Sequence, residues 1–475
     1  MTRNKILAYA IGPIGSGILG LISLPIITWF FSVEDVGRIS MLQVVASFSV
    51  LLFCLGLDQA YTREYHEVKD TPQLLKLTLM PGLILTVIVY SFIFFIKPTL
   101  VSEWLYEIPS VYLSVISISC FILSIISRFL SLVLRMQEKA LAFSMSQLLP
   151  KIIFLIFIIS TVWLGFKKDI YTLVTAHFLS ILAVFLVFSW NTRKEWLASF
   201  KYRFNWLRFK PLLLFGLPLV IGGLASWGLN VMDRLFLRGL STFSELGVYS
   251  VTMSIVAVAT VFSGIFNTIW APLVYKWIKT EEVNLSKIDE ISEHLLAAIY
   301  FIVVLSGLFS WVLPFFLPKE YAAIQYLITP CLLAPLFYTL SETTSVGIAI
   351  ARKTGYSMLA SIFAMLSNAI GNYLLVPEMG ALGAAISTAI SFWIFYILRT
   401  ELSCKVWRKT PITKTYSVTL LLLTTVIVDS MFFEKIILSI IIWLLLAIVG
   451  LILFKSSLEL AFIKAYKSYV KNNPI

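Results

Sequence analysis

Charged residues are scarce in this chain, at 13% of 475 residues, whereas a soluble domain carries roughly a quarter. Hydrophobic residues make up 59%, and the mean hydropathy is +0.92. This balance excludes an ordinary soluble domain. Apolar runs at 6–31, 78–96, 152–165 and 436–454 reach membrane-spanning length or come close to it. The composition therefore predicts an all-α integral membrane protein, whose first apolar run is an uncleaved helix.

Cysteine is also scarce, and long loops are missing. The four cysteines, Cys54, Cys120, Cys331 and Cys404, lie far apart and fit neither a disulfide framework nor a metal site. No predicted loop exceeds about twenty residues, which is too short to fold as a domain. The sequence contains no P-loop, no nucleophile–base set and no metal-ligand spacing. We therefore expect a transporter rather than an enzyme, without metal or cofactor, driven by a gradient or by its substrate.

Basic residues alternate strongly from loop to loop. One set of loops and ends holds 27 of the 37 lysines and arginines, and the intervening loops hold seven. This asymmetry is the positive-inside bias of a multispanning protein in a bacterial cytoplasmic (inner) membrane. It predicts cytoplasmic N- and C-termini and an even number of crossings. The net charge of +12 then faces anionic membrane lipids, so we expect no nucleic-acid partner.

The hydrophobic pattern predicts about 14 transmembrane helices, among them one at 38–60 and two at 356–376 and 382–399. The chain also repeats itself. Glu-Asp-Val-Gly-Arg-Ile-Ser at 34–40 is echoed by Glu-Leu-Gly-Val-Tyr-Ser at 245–250, and Phe-Ser-Met at 143–145 by Tyr-Ser-Met at 356–358. An offset of about 210 residues indicates two six-helix lobes in parallel orientation. The predicted parts are an N-terminal lobe (1–190), a cytoplasmic linker (191–210), a C-terminal lobe (211–400), and two additional helices with a basic cytoplasmic tail (401–475).

Three cations remain that the loop pattern does not place, namely Arg128, Lys151 and Arg234. A charge inside a bilayer costs several kcal/mol, so such residues usually face a cavity or a partner. Arg128 and Lys151 are too deep for easy snorkelling to the surface, which favours a cavity lining. Arg135 lies about two turns further along the same predicted helix as Arg128, nearer its end. For Arg135, the alternative to a cavity lining is that its side chain snorkels to the membrane surface. Arg234 adjoins Asp233, and a structural tether is the alternative for both.

Further polar side chains lie within the predicted helices. Expected lining residues of the cavity are Ser131, Ser144, Gln147, Asn230, Asn368 and Asn372. Candidate coupling groups are Glu342, Asp58, Asp233 and His177. Two of these have alternatives, since Glu342 also suits a counter-ion to an arginine and His177 an interhelical hydrogen bond. Gly12, Ser16 and Gly20 recur every four residues and predict a small-residue ridge for close helix packing, although Gly15, Gly17 and Gly20 match a dinucleotide-binding fingerprint.

Three segments resemble a known family. They are Leu24-Pro25 with Phe31 to Gly37, Leu55 to Ala60 and Arg63; Asp233 to Leu237 with Glu245 to Tyr249; and Pro377 to Ser387. Together they are similar to Wzx-type polysaccharide flippases of the multidrug/oligosaccharidyl-lipid/polysaccharide exporter superfamily. Each is a loose pattern of small and apolar residues, but together they cover the repeat from end to end.

The resemblance implies a carrier that moves an undecaprenyl-diphosphate-linked oligosaccharide from the cytoplasmic to the periplasmic leaflet. Arginine and lysine bind phosphate well, so Arg128, Lys151, Arg135 and Arg234 would hold the diphosphate in a cationic central cavity. Other polysaccharide-assembly proteins are possible further partners. Open alternatives are a gradient-driven multidrug or peptidoglycan-precursor exporter of the same fold and, less well supported, an integral-membrane glycosyltransferase or polymerase.

Overall fold

The computed structural model of the chain describes residues 3–280, 286–431, 436–460 and 463. In these ranges it contains helices and no strand. Two short 3-10 segments, Ser310–Phe316 and Lys319–Tyr321, precede α13. The helices are α1 (Arg3–Phe30), α2 (Val33–Phe53), α3 (Leu57–Glu64), α4 (Thr71–Ile96), α5 (Leu100–Tyr106), α6 (Val111–Met136), α7 (Ala140–Trp163), α8 (Ile170–Asn191), α9 (Arg193–Ser199), α10 (Trp206–Leu240), α11 (Phe243–Thr280), α12 (Ser286–Phe309), α13 (Ile324–Ile350), α14 (Gly355–Val406), α15 (Thr413–Met431) and α16 (Ile436–Leu453).

The helices have the length and composition of membrane spans. Within the described ranges, ten of them are long and apolar enough to cross a bilayer, which needs about 20 apolar residues. The predicted all-α membrane class is therefore confirmed. The count of fourteen crossings stays a prediction, as does the placement of both termini.

The predicted helix at 38–60 is broken. Leu55 and Gly56 adopt positive φ angles of 52° and 69° and separate α2 from α3. A Cβ on Gly56 would lie 2.1 Å from the carbonyl oxygen of Gly216, so only glycine permits this approach of α10. Because of the break, α3 does not continue the axis of α2. Asp58, the second residue of α3, therefore takes its position from α3.

The predicted helices at 356–376 and 382–399 are both present, as the two arms of the 52-residue segment α14. Gly380 lies inside it with a non-helical φ of 54°. The two arms fold against each other, because a Cβ on Gly371 would meet Ser387 and one on Gly383 would meet Leu375. α14 is thus a helical hairpin with a minimal turn.

The chain divides into two compact units, residues 1–254 and 255–475. The first unit holds α1 to α10 and the beginning of α11, and the second holds the remainder. The four-part division drawn from the repeat stays a prediction, and most of its basic tail lies outside the described residues.

The small-residue ridge of α1 packs closely on α7. A Cβ on Gly12 would lie 3.0 Å from the Cα atom of Ser144, and one on Gly20 would lie 3.1 Å from the Nζ atom of Lys151. A side chain at Gly12 would press on the α7 backbone, whereas one at Gly20 would meet only the flexible end of Lys151. The packing interpretation is confirmed, and the ridge brings α1 against the polar residues of α7.

Within the first unit, the two copies of the repeated motif meet. Ser32 and Thr242 cap α2 and α11 by accepting hydrogen bonds from the backbone N–H groups three residues later. A Cβ on Gly37 would lie 2.2 Å from the carbonyl oxygen of Phe243, and one on Gly247 would lie 2.1 Å from that of Val33. The first residue of each helix thus contacts the glycine of the other, so the contact is reciprocal.

Candidate functional site

A small polar cavity lies in the first unit between α1, α2, α7, α10 and α11. Its volume is about 110 Å³, below the range of roughly 300–1,000 Å³ typical of small-molecule pockets. We call it the Arg234 cavity, after the one charged residue in its lining. Its polar lining consists of Ser23, Thr28, Ser40, Gln43, Ser250 and Ser254. A cavity of this size and chemistry suits a compact anionic group.

Arg234 and Lys151 supply the positive charge at this site. Lys151 donates a hydrogen bond from its Nζ atom to the carbonyl oxygen of Ser16, at 2.7 Å. A Cβ added to Gly20, which lines the cavity, would lie 3.1 Å from the same Nζ atom. Within the part of the chain that is described, neither cation has a carboxylate at the ion-pair distance of 4.0 Å. Both charges are half-buried, so a bound anion would compensate them.

Ser250 adds a hydrogen-bonding group without a partner. Its side chain lines the Arg234 cavity and is buried, yet no described atom lies within hydrogen-bonding distance of its Oγ atom. Ser40, at the equivalent position of the other repeat copy, lines the same cavity and donates to the carbonyl oxygen of Gly37 at 2.7 Å. A buried hydroxyl that lacks a partner costs about 1–3 kcal/mol.

Ser40 and Ser250 were not among the predicted site residues. The signal was present in the sequence, since each ends its copy of the repeated motif. The repeat identifies the two serines as equivalent, but it does not show that both line one cavity. That requires the packing of α2 against α10 and of α1 against α7.

Arg128 is compensated, in contrast to Arg234. Its Nη2 and Nε atoms lie 2.7 and 3.2 Å from the Oδ2 atom of Asp58. The Arg128 side chain is 40% exposed and the Asp58 side chain 14%. The two candidate residues therefore form one ion pair whose net charge is zero. The hydroxyl of Ser131, on the next turn of α6, donates a hydrogen bond to the backbone carbonyl oxygen of Arg128.

Arg135 lies at the last turn of α6 and is exposed. Its guanidinium stands over the ring of Phe143, 5.9 Å from the centroid. Such a position suits the snorkelling alternative. On α7, Ser144 is fully buried, and a Cβ added to Gly12 of α1 would lie 3.0 Å from the Ser144 Cα atom and 3.1 Å from the Oε1 atom of Gln147. Both residues thus lie along the α1–α7 seam that leads to Lys151.

The remaining candidates of the first unit have separate surroundings. Asp233 is buried and accepts a hydrogen bond of 2.5 Å from the Tyr249 hydroxyl, which suits the tether alternative. Asn230 is exposed and donates to the carbonyl oxygen of Ser226. His177 packs edge-on against Phe154, with 6.0 Å between ring centroids. Phe154 lines the Arg234 cavity, so His177 lies behind that wall.

In the second unit, Glu342 is paired with Arg399. The Arg399 Nη1 atom lies 2.7 Å from the Oε1 atom of Glu342 and 2.7 Å from the Oγ atom of Ser341. The Phe395 and Tyr338 rings also contact the guanidinium, at 5.1 and 5.8 Å from their centroids. This is the counter-ion arrangement considered for Glu342, while a coupling role stays a prediction.

Asn368 and Asn372 lie between the two arms of the α14 hairpin and are fully buried. The Asn368 Nδ2 atom donates to Thr388 at 3.0 Å, and the Asn372 Nδ2 atom donates to the Asn368 side chain at 3.1 Å. Ser387 donates to the Asn368 backbone. The pair thus belongs to a network that joins the arms, and its predicted cavity role stays a prediction.

Comparisons with known proteins agree with this architecture. The family model described as "Polysaccharide biosynthesis protein" matches residues 2–278, more than half of the chain. The capsular polysaccharide biosynthesis protein CapF of Staphylococcus aureus is 24% identical over 242 residues, which cover 47% of this chain and 59% of that protein. The chain thus matches somewhat less than two thirds of this relative's length.

Two solved structures share the fold. The lipid II flippase MurJ in an inward closed conformation aligns with a TM-score of 0.69 at 18% identity, covering 95% of this chain and 99% of that one. An inward-facing multidrug resistance MATE family transporter of the MOP superfamily aligns with a TM-score of 0.57 at 13% identity, covering 84% and 98%. The predicted resemblance is confirmed: the chain belongs to the polysaccharide biosynthesis protein family and has the fold of the multidrug/oligosaccharidyl-lipid/polysaccharide exporter superfamily.

Proposed function

We propose that this protein is a flippase that moves an undecaprenyl-diphosphate-linked oligosaccharide from the cytoplasmic to the periplasmic leaflet. The cavity opens alternately to each side, and no covalent bond is made or broken. The lipid-linked substrate is the chemistry expected of a polysaccharide biosynthesis protein in a transporter fold. The membrane supplies the path for the prenyl tail, while the protein carries the polar part.

The observation that carries the proposal is that Arg234 and Lys151 form no contact ion pair with a described carboxylate, although Asp233 lies next to Arg234 in the chain. Two cations beside a polar cavity, neither with a carboxylate partner in the described ranges, require an anion to lower their free energy in the bilayer. A diphosphate supplies two negative charges with several acceptor oxygens. An arginine guanidinium and a lysine ammonium both bind such oxygens through charge-assisted hydrogen bonds. Arg128 contributes less, because Asp58 already neutralises it.

The alternatives fit these surroundings less well. A cationic drug would need a carboxylate, and the lining of the Arg234 cavity includes no acidic residue. A glycosyltransferase would need free acids outside the membrane, whereas Glu103 pairs with Lys97 and Glu107 with Arg238. A peptidoglycan-precursor exporter carries the same lipid diphosphate chemistry. The family description, which names polysaccharide biosynthesis, favours the oligosaccharide over that precursor.

A binding measurement on the purified full chain tests the proposal. We expect undecaprenyl diphosphate to bind and a cationic dye such as ethidium not to compete with it. R234Q and K151Q should each weaken binding of the diphosphate by roughly 10- to 100-fold, since a hydrogen bond to a charged group contributes about 1.5–3 kcal/mol. Intrinsic tryptophan fluorescence provides the readout.

The control is R352Q/K353Q, which removes two exposed charges from a short loop without touching the Arg234 cavity. It should bind the diphosphate like the unmodified chain. Equal affinities for all of these variants would contradict the cationic-cavity proposal. Displacement of the diphosphate by the dye would favour a multidrug exporter instead.

A further inference from the structure

The seven-residue helix α9 is held firmly on the first unit by its inner face. The Glu195 carboxylate accepts hydrogen bonds from the Thr71 hydroxyl at 3.1 Å and from the Gln137 amide at 3.2 Å. The Trp196 indole donates to the carbonyl oxygen of Ser189 at 2.8 Å. The only acid of α9 is thus directed inward, and among the described residues it forms no ion pair with the cations on the outer face.

The outer face of this segment is basic and aromatic. Arg193, Lys194 and Lys201 are exposed. Large apolar side chains are exposed beside them: Trp190 at 68%, Leu197 at 52% and Phe200 at 64%. A surface that combines basic and apolar side chains in this way is typical of a segment lying in the membrane interface. The orientation predicted from the basic loops assigns this side to the cytoplasmic leaflet.

A groove of about 200 Å³ runs beneath α9, between it and α4, α6 and α8. We call it the α9 groove. Its walls are almost wholly apolar, and they include Leu79, Leu83, Ile126, Phe185 and Phe200. Lys76 stands at its rim and donates to the carbonyl oxygen of Tyr202 at 2.6 Å. The groove is therefore lined mainly by hydrocarbon, with Lys76 as the one charged residue in its lining.

We propose that the α9 groove binds one acyl chain of an anionic phospholipid, whose headgroup lies against Arg193, Lys194 and Lys201. An apolar wall without convergent polar groups suits a hydrocarbon chain and offers a polar metabolite nothing to bond. The fully exposed charged residues of α9, Arg193 and Lys194, are both basic, which complements an anionic headgroup. The site is separate from the Arg234 cavity, so it does not depend on the proposed flippase activity.

Photolabelling of the full chain in phosphatidylcholine vesicles tests the site. The probes are phosphatidylglycerol and phosphatidylcholine that each carry a photoreactive group on one acyl chain. We expect phosphatidylglycerol to label peptides of the α9 groove several-fold more than phosphatidylcholine does. R193Q/K194Q should remove that preference, whereas R352Q/K353Q, which loses the same charge elsewhere, should keep it.

A second pair of variants tests the groove rather than the charge. S189F and L83F place larger side chains in it and should reduce labelling by both probes, with an unchanged midpoint of thermal unfolding showing that the fold persists. Equal labelling by the two probes, or labelling that survives both filled variants, would overturn the proposal. Displacement of the probe by undecaprenyl phosphate in preference to phosphatidylglycerol would also overturn it and assign the groove to a prenyl chain.

Discussion

At the scale of single residues, the partner of a cation matters more than its depth in a helix. Arg128 and Arg234 both stood out in the sequence because they lie within apolar helices. In the structure, Arg128 is paired with Asp58, while Arg234 faces a cavity without an acid. The same residue type thus has a structural contact in one place and an available charge in the other.

The Asp58–Arg128 pair should behave as a coupled unit. D58N leaves the Arg128 charge without compensation and should lower the free energy of unfolding by about 1 kcal/mol, the lower part of the range for an unpaired polar group, because Arg128 is partly exposed. R128Q should cost a similar amount, and D58N/R128Q less than the sum. A double-mutant cycle by thermal unfolding in detergent gives the coupling, and strictly additive losses would contradict the pairing.

Glu103, in the first turn of the short helix α5, should titrate below its usual range. The hydrogen bond from the Lys97 ammonium, followed by that from the Thr99 hydroxyl, lowers the pKa of Glu103. A lowered pKa means that the contact stabilises the fold fully at neutral pH and that this contribution is lost as the pH falls through the folded-state pKa. Carboxyl carbon shifts of Glu103 should give a midpoint below the ordinary value of about 4.3, and K97Q should raise it. An unchanged midpoint in K97Q would contradict this.

At the scale of helices, glycine contacts determine how the elements meet. Gly37 and Gly247 bring the starts of α2 and α11 together, and Gly56 brings α3 against α10. Each contact places backbone against backbone, where a methyl group has no room. Rearrangement of the first unit must therefore proceed by separating whole helix ends rather than by compressing side chains.

Alanine at the reciprocal contact should push the helices apart. G37A and G247A each place a Cβ at about 2 Å from a carbonyl oxygen, and overpacking of this kind costs about 1–3 kcal/mol. G239A is the matched control, since a Cβ there meets nothing within 4 Å. We expect a lower midpoint of thermal unfolding for the first two variants and no loss for the control. If the midpoint of thermal unfolding fell as far in G239A as in G37A and G247A, the close helix contact would not be the cause of the loss.

How far the sequence predicts this fold depends on the range of the interaction. Hydropathy and charge depend on local residue types, so they predicted the all-α membrane class, and the four-residue spacing predicted the α1–α7 ridge. The break at Leu55 and Gly56 was missed because the apolar pattern continues across it, while the Gly216 contact that accompanies it lies far along the chain. The Asp58–Arg128 pair joins residues 70 positions apart, which periodicity within one helix does not reveal.

At the scale of the whole molecule, topology is the first quantity to measure. The basic loops predict that Lys353 lies on the cytoplasmic side and Lys168 on the periplasmic side; both are exposed. A membrane-impermeant maleimide should label K168C in intact cells and K353C only after permeabilisation, in a background where the four native cysteines are replaced. Labelling of K353C in intact cells would contradict the predicted orientation, because it would place Lys353 on the outer side of the membrane.

The central claim is that the protein translocates an anionic lipid-linked saccharide by means of the charges at the Arg234 cavity. Its most direct test follows a fluorescent undecaprenyl-diphosphate saccharide in vesicles that contain the purified chain, with a membrane-impermeant quencher outside. We predict that the unmodified chain and R352Q/K353Q expose the inner-leaflet pool to the quencher, and that R234Q and K151Q slow this exposure at least tenfold. Equal rates with and without the two cations, or no exposure by the unmodified chain, would contradict the account.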